Sequence, residues 1–358
     1  MQYRASFYPN ETSPNSDAAM LAESRDQEVL EARATAIMQP SFVQKIVYPI
    51  VCRETARPRL SQDCQTSIVQ NTGTGRITVG YCFGDDLMVF GKLYSDGLGP
   101  HSVQVIKGLW QGGFGNGEPY QVSQPLSYLP EYNLFLTRAA AGTPLMAFLG
   151  QDNPELLAYV RQAAQWLIRL HRTPLHIGRH DSLWDSLKLF RIVRRLTKAV
   201  ARAPHTRKQL IEMVDRLCQK AQQNPDPVPT VQTHGRFHYE HIFANDTTVT
   251  LIDFDRSQPS DPAKDVAEFL SVLRLRTMKR TGSTDTAEAP TQVFLEEYLA
   301  HLPGYAENLA IYWGAFLLLN MFHYVKKYKP NDAVFERMMQ FYEEEFDTVL
   351  SGKLLPVS

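Results

Sequence analysis

The chain has 358 residues, 44% of them hydrophobic and 21% charged, enough for one large domain or two lobes with a sizeable core. Thirty-seven Lys and Arg against thirty-eight Asp and Glu give a formal net charge of −1, which removes any global reason to expect nucleic-acid binding. The four cysteines, Cys52, Cys64, Cys82 and Cys218, lie far apart with neither metal-ligand pairing nor disulfide density, and no apolar stretch is long enough to span a bilayer, so a cytoplasmic setting is expected.

Residues 1–17 are rich in Asn, Ser, Pro and Thr and read as weakly docked, while 18–37 and 42–51 carry apolar residues at helical spacing. Pro58 closes this helical extension, 1–58. The period then changes. Strands are expected at 60–69, 77–83 and 87–94, the first two joined by Asn71-Thr72-Gly73-Thr74-Gly75-Arg76 and the third bearing Lys92. A helix follows at 101–111, then a turn and strand over 116–129, a strand at 133–136 and a supple connection at 137–142.

Beyond Gly142 the pattern is mainly helical, with helices at 153–170, 182–203 and 206–223. The run from Arg191 to Lys208 contains no Asp or Glu and reads as the solvated side of a helix. A Pro-marked linker at 222–229 leads to the most punctuated part of the sequence, THGRFHYEHIFANDTTVTLIDFDRSQPSDPAKDVAEFL. There, His234 to His241 crowds charged and titratable side chains around Gly235, and a polar turn at 244–246 precedes a β-branched run that delivers Asp253-Phe254-Asp255. Asp261-Pro262 then opens a helix with Asp265 in its first turn. Residues 279–289 are polar and read as mobile, and three helices, 290–300, 305–328 and 331–350, complete the chain.

This ordered set, His234-Gly235, His238, Asp253, Asp261-Pro262 and Asp265, resembles the aminoglycoside phosphotransferase and choline kinase type of small-molecule kinase, relatives of the protein kinases. Two positions depart from the family's pattern: Arg236 stands where the catalytic Asp belongs and His241 where the metal-binding Asn belongs. The resemblance implies an α+β, bilobal protein-kinase-like fold. It divides into the helical extension 1–58, a small nucleotide-binding lobe 59–137 and a helical lobe 138–358 that carries the catalytic loop and acceptor cleft. It also implies ATP and Mg2+ as cofactors, with Lys92, Arg76, Gly73 and Gly75 on the nucleotide and Asp253 and His241 on the metal. Asp265 braces the backbone of the catalytic loop, and C-terminal helices line the acceptor pocket, with Trp313, Tyr324 and Tyr328 as candidate pocket residues whose spacing favours core packing.

Phosphoryl transfer asks the protein mainly to align nucleotide, metal and acceptor, and asks one carboxylate to take the acceptor's proton. An arginine cannot take it, because its side chain stays charged. The expected function is therefore ATP- and magnesium-dependent transfer to an unidentified small-molecule hydroxyl through an atypical loop. In it Arg236 clamps the terminal phosphate, His238 sits beside the transferring group, and the base is Glu240, Asp255 or the substrate itself. The alternative is a non-catalytic pseudokinase-like module that binds nucleotide or an anionic metabolite together with a protein partner. A third reading uses Arg236, His238 and His241 for nucleotidyl or phospholytic chemistry.

Overall fold

The computed structural model of the chain describes residues 16–72, 75–84, 87–149, 154–180, 189–223, 229–305, 308–328 and 332–353. In chain order the elements are α1 (Ser16–Ile37), α2 (Pro40–Phe42), a π-helical turn (Val43–Val47), α3 (Tyr48–Glu54), β1 (Cys64–Asn71), β2 (Arg76–Phe83), β3 (Leu87–Tyr94) and α4 (Gly99–Gln111). Next come β4 (Tyr120–Val122), β5 (Pro125–Leu129), β6 (Leu134–Arg138), β7 (Thr143–Pro144), α5 (Pro154–His171), α6 (Leu189–Arg202) and α7 (Arg207–Gln223). The chain ends with β8 (Val231–Thr233), β9 (Ile242–Ala244), β10 (Val249–Leu251), β11 (Gln258–Ser260), α8 (Ala263–Thr281), α9 (Asp285–His301), α10 (Leu309–Lys327) and α11 (Ala333–Leu350). The architecture is mixed α+β, a smaller β-sheet lobe and a larger helical lobe, as the sequence led us to expect.

The smaller unit comprises residues 1–99 and 125–139. Its antiparallel sheet runs β1-β2-β3-β6-β5, and alternate residues of β2 and β3 turn the same way, so Ile77, Val79, Tyr81, Val89 and Leu93 are buried together. Leu30, Ala34 and Ile37 of α1 and Val43, Val47 and Val51 share that core, so the helices before residue 59 bury their apolar face against the sheet. The Tyr81 hydroxyl, donating to Ile37 O at 3.3 Å, pins one to the other. Lys92 lies on the other phase of β3, opposite Thr78 and Phe135.

The larger unit comprises residues 100–124 and 140–358. Residues 116–129, expected as one turn and strand, form two strands in two different sheets. Strand β4 adds in parallel to β10, whose other edge carries β9 and then β7, while β5 belongs to the sheet of the smaller unit. The β9–β10 hairpin is closed by Asn245, whose carboxamide oxygen accepts the amides of Thr247 and Thr248 at 3.0 and 2.8 Å. Strands β8 and β11 pair antiparallel and bracket the loop and hairpin between them.

The expectation of a mobile segment at 279–289 fails. Helix α8 continues to Thr281, Gly282 ends it in the left-handed conformation with its amide on Met278 O, and α9 begins at Asp285 because Ala287 and Pro290 are buried. Polarity misled the reading, since two buried small residues suffice to dock a helix start.

A buried ion pair fixes the last helix. Arg274 of α8 donates from Nε and Nη2 to both carboxylate oxygens of Glu345 on α11, at 2.5 and 3.0 Å, with both side chains 5% exposed. Its Nη1 also reaches Glu288, which is 54% exposed. Replacing Glu345 by Ala leaves a buried guanidinium short of its main partner and is expected to cost about 3 kcal/mol in urea unfolding. Glu288→Ala is expected to cost less than about 1 kcal/mol. Equal costs for the two variants would contradict this reading of the pair.

Candidate active site

The site is organised by the carboxylate of Asp265, fully buried in the first turn of α8. Its two oxygens accept the backbone amides of His234, at 2.6 Å, and Gly235, at 2.9 Å, where the chain leaves β8. His171, the last residue of α5, approaches the same carboxylate at 3.3 Å through Nε2. Because a carboxylate can only accept, Nε2 is the donor there, and Nδ1 lies 2.7 Å from the Tyr298 hydroxyl of α9. Burial alone would raise the Asp265 carboxyl, but the hydrogen bond and charge interaction with His171, followed by His234 and its amide, hold it below the usual carboxylate range.

Gly235 sits at φ +74°, and a Cβ there would fall 2.0 Å from the carbonyl oxygen of Arg256, so only glycine lets the loop pass the backbone that follows Asp255. The neighbouring His234 ring donates from Nε2 to Ile252 O at 3.0 Å and packs 4.5 Å from Phe254. Phe237 and Phe254 both lie against Trp166 of α5, so alternate residues of the loop and of the Asp253-Phe254-Asp255 segment are anchored in apolar packing. Asp253 is thereby presented from a left-handed backbone, φ +67°, a conformation Asp tolerates better than most residues.

His241 faces it. Its Nδ1 lies 3.0 Å from the carbonyl oxygen of Arg236 and must be the donor, which leaves the lone pair of Nε2 toward Asp253 Oδ2 at 3.4 Å. Burial pushes His241 down to about 4, Asp253 opposing and His234 adding to the shift. The neutral imidazole nitrogen and the carboxylate oxygen therefore form a two-donor corner that suits a divalent cation. Among the described residues, no group of three or more His, Cys, Asp or Glu side chains is placed to hold a metal ion, so a cation at this corner would complete its shell from phosphate and water.

The ring of His238 stacks beside that of His241 at 4.1 Å, with its Nδ1 buried and lacking a hydrogen bond, 3.9 Å from Glu240 Oε2. Burial, then the charges of His241 and Arg236, push His238 down to about 2, which makes it a poor proton acceptor. Glu240 also takes Arg276 of α8, at 3.4 Å. Asp255 is buried and accepts the Ser102 hydroxyl of α4 at 2.8 Å, while His101 donates to Ser257 O at 2.7 Å, so the start of α4 is bolted to this segment. Arg236 is half-buried and, among the described residues, its guanidinium makes no hydrogen bond or ion pair.

The loop and hairpin thus bring Arg236, His238, Glu240, His241 and Asp253 together, with Asp255 turned to α4. In the smaller unit, Lys92 is half-buried with its ammonium 5.6 Å from the Tyr94 ring, Arg76 is engaged by Asp96 at 2.7 Å, and Gly75 is left-handed at φ +89°. Gly73 lies outside the described residues. Sequence reasoning missed Arg276 and also Glu268, one turn beyond Asp265, whose carboxyl burial pushes up to about 8 against the opposing charges of Lys264, Arg236 and Arg256. Both sit on a helix whose mixed polar pattern gives no sign of which charges turn toward the loop.

This fold and site define a kinase-like phosphotransferase class. The chain belongs to the phosphotransferase enzyme family, which its residues 103–307 match. No curated protein sequence matches it. Among solved structures it is similar to choline kinase from Cryptosporidium parvum Iowa II, with 10% identity and a TM-score of 0.59 over 87% of this chain and 98% of that one. A spectinomycin phosphotransferase in complex with ADP and spectinomycin matches with 14% identity and a TM-score of 0.54 over 82% and 94% of the two chains. Ethanolamine kinase from Plasmodium vivax matches with 13% identity and a TM-score of 0.50 over 93% and 94%. At such identities the likeness bears on the fold.

The two imidazoles pushed down by burial, His238 and His241, tie stability to pH. A histidine whose folded pKa lies below the unfolded value near 6.5 stays neutral in the fold while the unfolded chain takes up a proton, so stability falls as pH drops below that value. For His238 the window runs from 6.5 down to about 2, and for His241 to about 4. In urea unfolding with EDTA, His238→Gln is expected to lower the loss of stability between pH 6.5 and 5 by up to about 1.4 kcal/mol per pH unit. An unchanged slope would mean that His238 is protonated in the fold.

Proposed function

We propose that the protein is an ATP- and divalent-cation-dependent phosphotransferase acting on a small-molecule hydroxyl, with Arg236 working as a phosphate clamp in place of a carboxylate. The observation that carries this reading is the bracing of the loop. A buried carboxylate holding two consecutive loop amides, and a glycine that alone permits the backbone crossing, brace the loop backbone immediately before Arg236.

In this reading Lys92 and the backbone of the β1–β2 turn, with Gly73 and Gly75, hold the nucleotide phosphates. Arg76 contributes only by exchanging its Asp96 partner. Asp253 and the Nε2 of His241 hold the cation, which when bound draws charge from the phosphates. An imidazole donor favours Mn2+ over Mg2+ relative to a carboxamide oxygen. The Arg236 guanidinium, fixed and charged, offers its donors to the terminal phosphate. His238, held neutral by burial, excludes water and shapes the pocket beside it. Glu240 takes the acceptor hydroxyl's proton, since Asp255 is buried and occupied by Ser102.

A second reading, a nucleotide-binding module without transfer that also engages a protein partner, is favoured by one observation. The carboxylates nearest the loop already have partners, Glu240 on Arg276 and Asp255 on Ser102. Calorimetry separates the nucleotide claims from chance. ATP is expected to bind more tightly with Mn2+ or Mg2+ than in EDTA, and Asp253→Ala is expected to abolish that difference. Lys92→Ala is expected to weaken ATP about tenfold with an unchanged melting curve. Equal cation dependence in wild type and Asp253→Ala would remove Asp253 from the metal role.

A further inference from the structure

The larger unit carries a concentration of positive charge that the net charge of −1 conceals. Arg276 and Lys279 near the end of α8, His323, Lys326 and Lys327 near the end of α10, and Arg195 on α6 are all exposed. Among the described residues, Arg195, Lys279, Lys326 and Lys327 form no ion pair with a carboxylate. Two of the cations lie on aromatic rings instead: Lys279 is 5.6 Å from the Tyr324 ring and Lys327 is 5.5 Å from the Tyr328 ring. Those rings stack on each other at 4.4 Å, and Tyr324 is anchored against Phe335 and Tyr342 of α11. Asp332, which acts on Tyr324, is turned to cap α11 through the Val334 amide at 3.0 Å.

We infer that this surface binds the anionic end of the acceptor, so that the substrate of the transfer is a small molecule bearing a phosphate or more than one carboxylate. Arg195, Lys279, Lys326 and Lys327, gathered from three helices without a carboxylate partner among the described residues, repel one another, and an anion relieves that repulsion. The aromatic platform keeps two of the cations in place without neutralising them. The cations act on one another in the same sense: burial first, then Arg276 and Lys327, push Lys279 down to about 8, and burial first, then Lys327, Lys279, Arg195 and Lys326, hold His323 low. Arg276 joins the surface to the site. Its guanidinium reaches Glu240 at 3.4 Å, and the other oxygen of Glu240 lies 3.9 Å from His238. An acceptor held by its anionic end on α8 and α10 would direct its hydroxyl toward Glu240. The assignment of this anion as an acceptor rests on the phosphotransferase reading; the anion site itself does not.

Calorimetric titration of the full chain with citrate and with inorganic pyrophosphate, each with and without a saturating non-hydrolysable ATP analogue, tests the inference. At least one anion is expected to bind with the analogue present, and its preference between the two tells carboxylate from phosphate. Lys279→Ala/Lys327→Ala is expected to weaken that binding by about tenfold or more, while Lys45→Ala in the smaller unit leaves it unchanged. Binding of neither anion overturns the inference, as does equal binding by wild type and the double variant. Retention on phosphatidylserine vesicles without affinity for either free anion also overturns it, in favour of a headgroup surface. Failure of the analogue to bind is a separate result, which overturns the phosphotransferase reading while the anion titrations still decide the surface.

Discussion

One buried carboxylate holds the site together. Asp265 takes the amides of His234 and Gly235 on its two oxygens and is itself held by His171, which Tyr298 orients in turn. Burying that charge is costly unless each oxygen is satisfied, so the loop, α5, α8 and α9 are bound to one geometry. From the loop the constraint runs outward. His234 fixes the end of β10 through Ile252 O, and Asp253 emerges directly after it.

Upon that frame sits an unusual set of side chains. In the braced loop Arg236 is a half-buried guanidinium without a partner among the described residues. Beside it, two imidazoles are held neutral by burial, one of them turned with its lone pair toward Asp253. A positive charge surrounded by neutral rings attracts phosphate, and would be a poor neighbour for a cationic acceptor. The exposed cations at the ends of α8 and α10 add positive charge beyond the loop.

Much of this was legible in the sequence because it depends on residues whose roles are narrow. Gly235 marks a backbone crossing, Asp261-Pro262 marks the start of a helix, and Asp265 in its first turn marks a carboxylate aimed at a loop. The β-branched run before Asp253 gave the hairpin. What escaped depends on distant parts of the chain meeting in space. Nothing near Asp255 announces Ser102, and nothing near Glu240 announces Arg276. The stretch 279–289 is helical at both ends against its composition, carried by the buried residues of α8 before it and of α9 after it. Strand β4 left its sequence neighbour β5 to pair in parallel with β10, a long-range partner within the larger unit.

The claim on which the functional account turns is that Arg236 replaces a carboxylate as a phosphate clamp. Phosphoryl transfer from ATP by wild type and Arg236→Asp, measured across hydroxylated acceptors with Mg2+ and with Mn2+, tests it most directly. The account predicts transfer by wild type that is lost in Arg236→Asp, with weaker ATP binding, because an anion then replaces a five-donor cation beside the phosphates. Equal rates and equal ATP affinity in the two proteins would contradict it, and would mean that the guanidinium points away from the reaction.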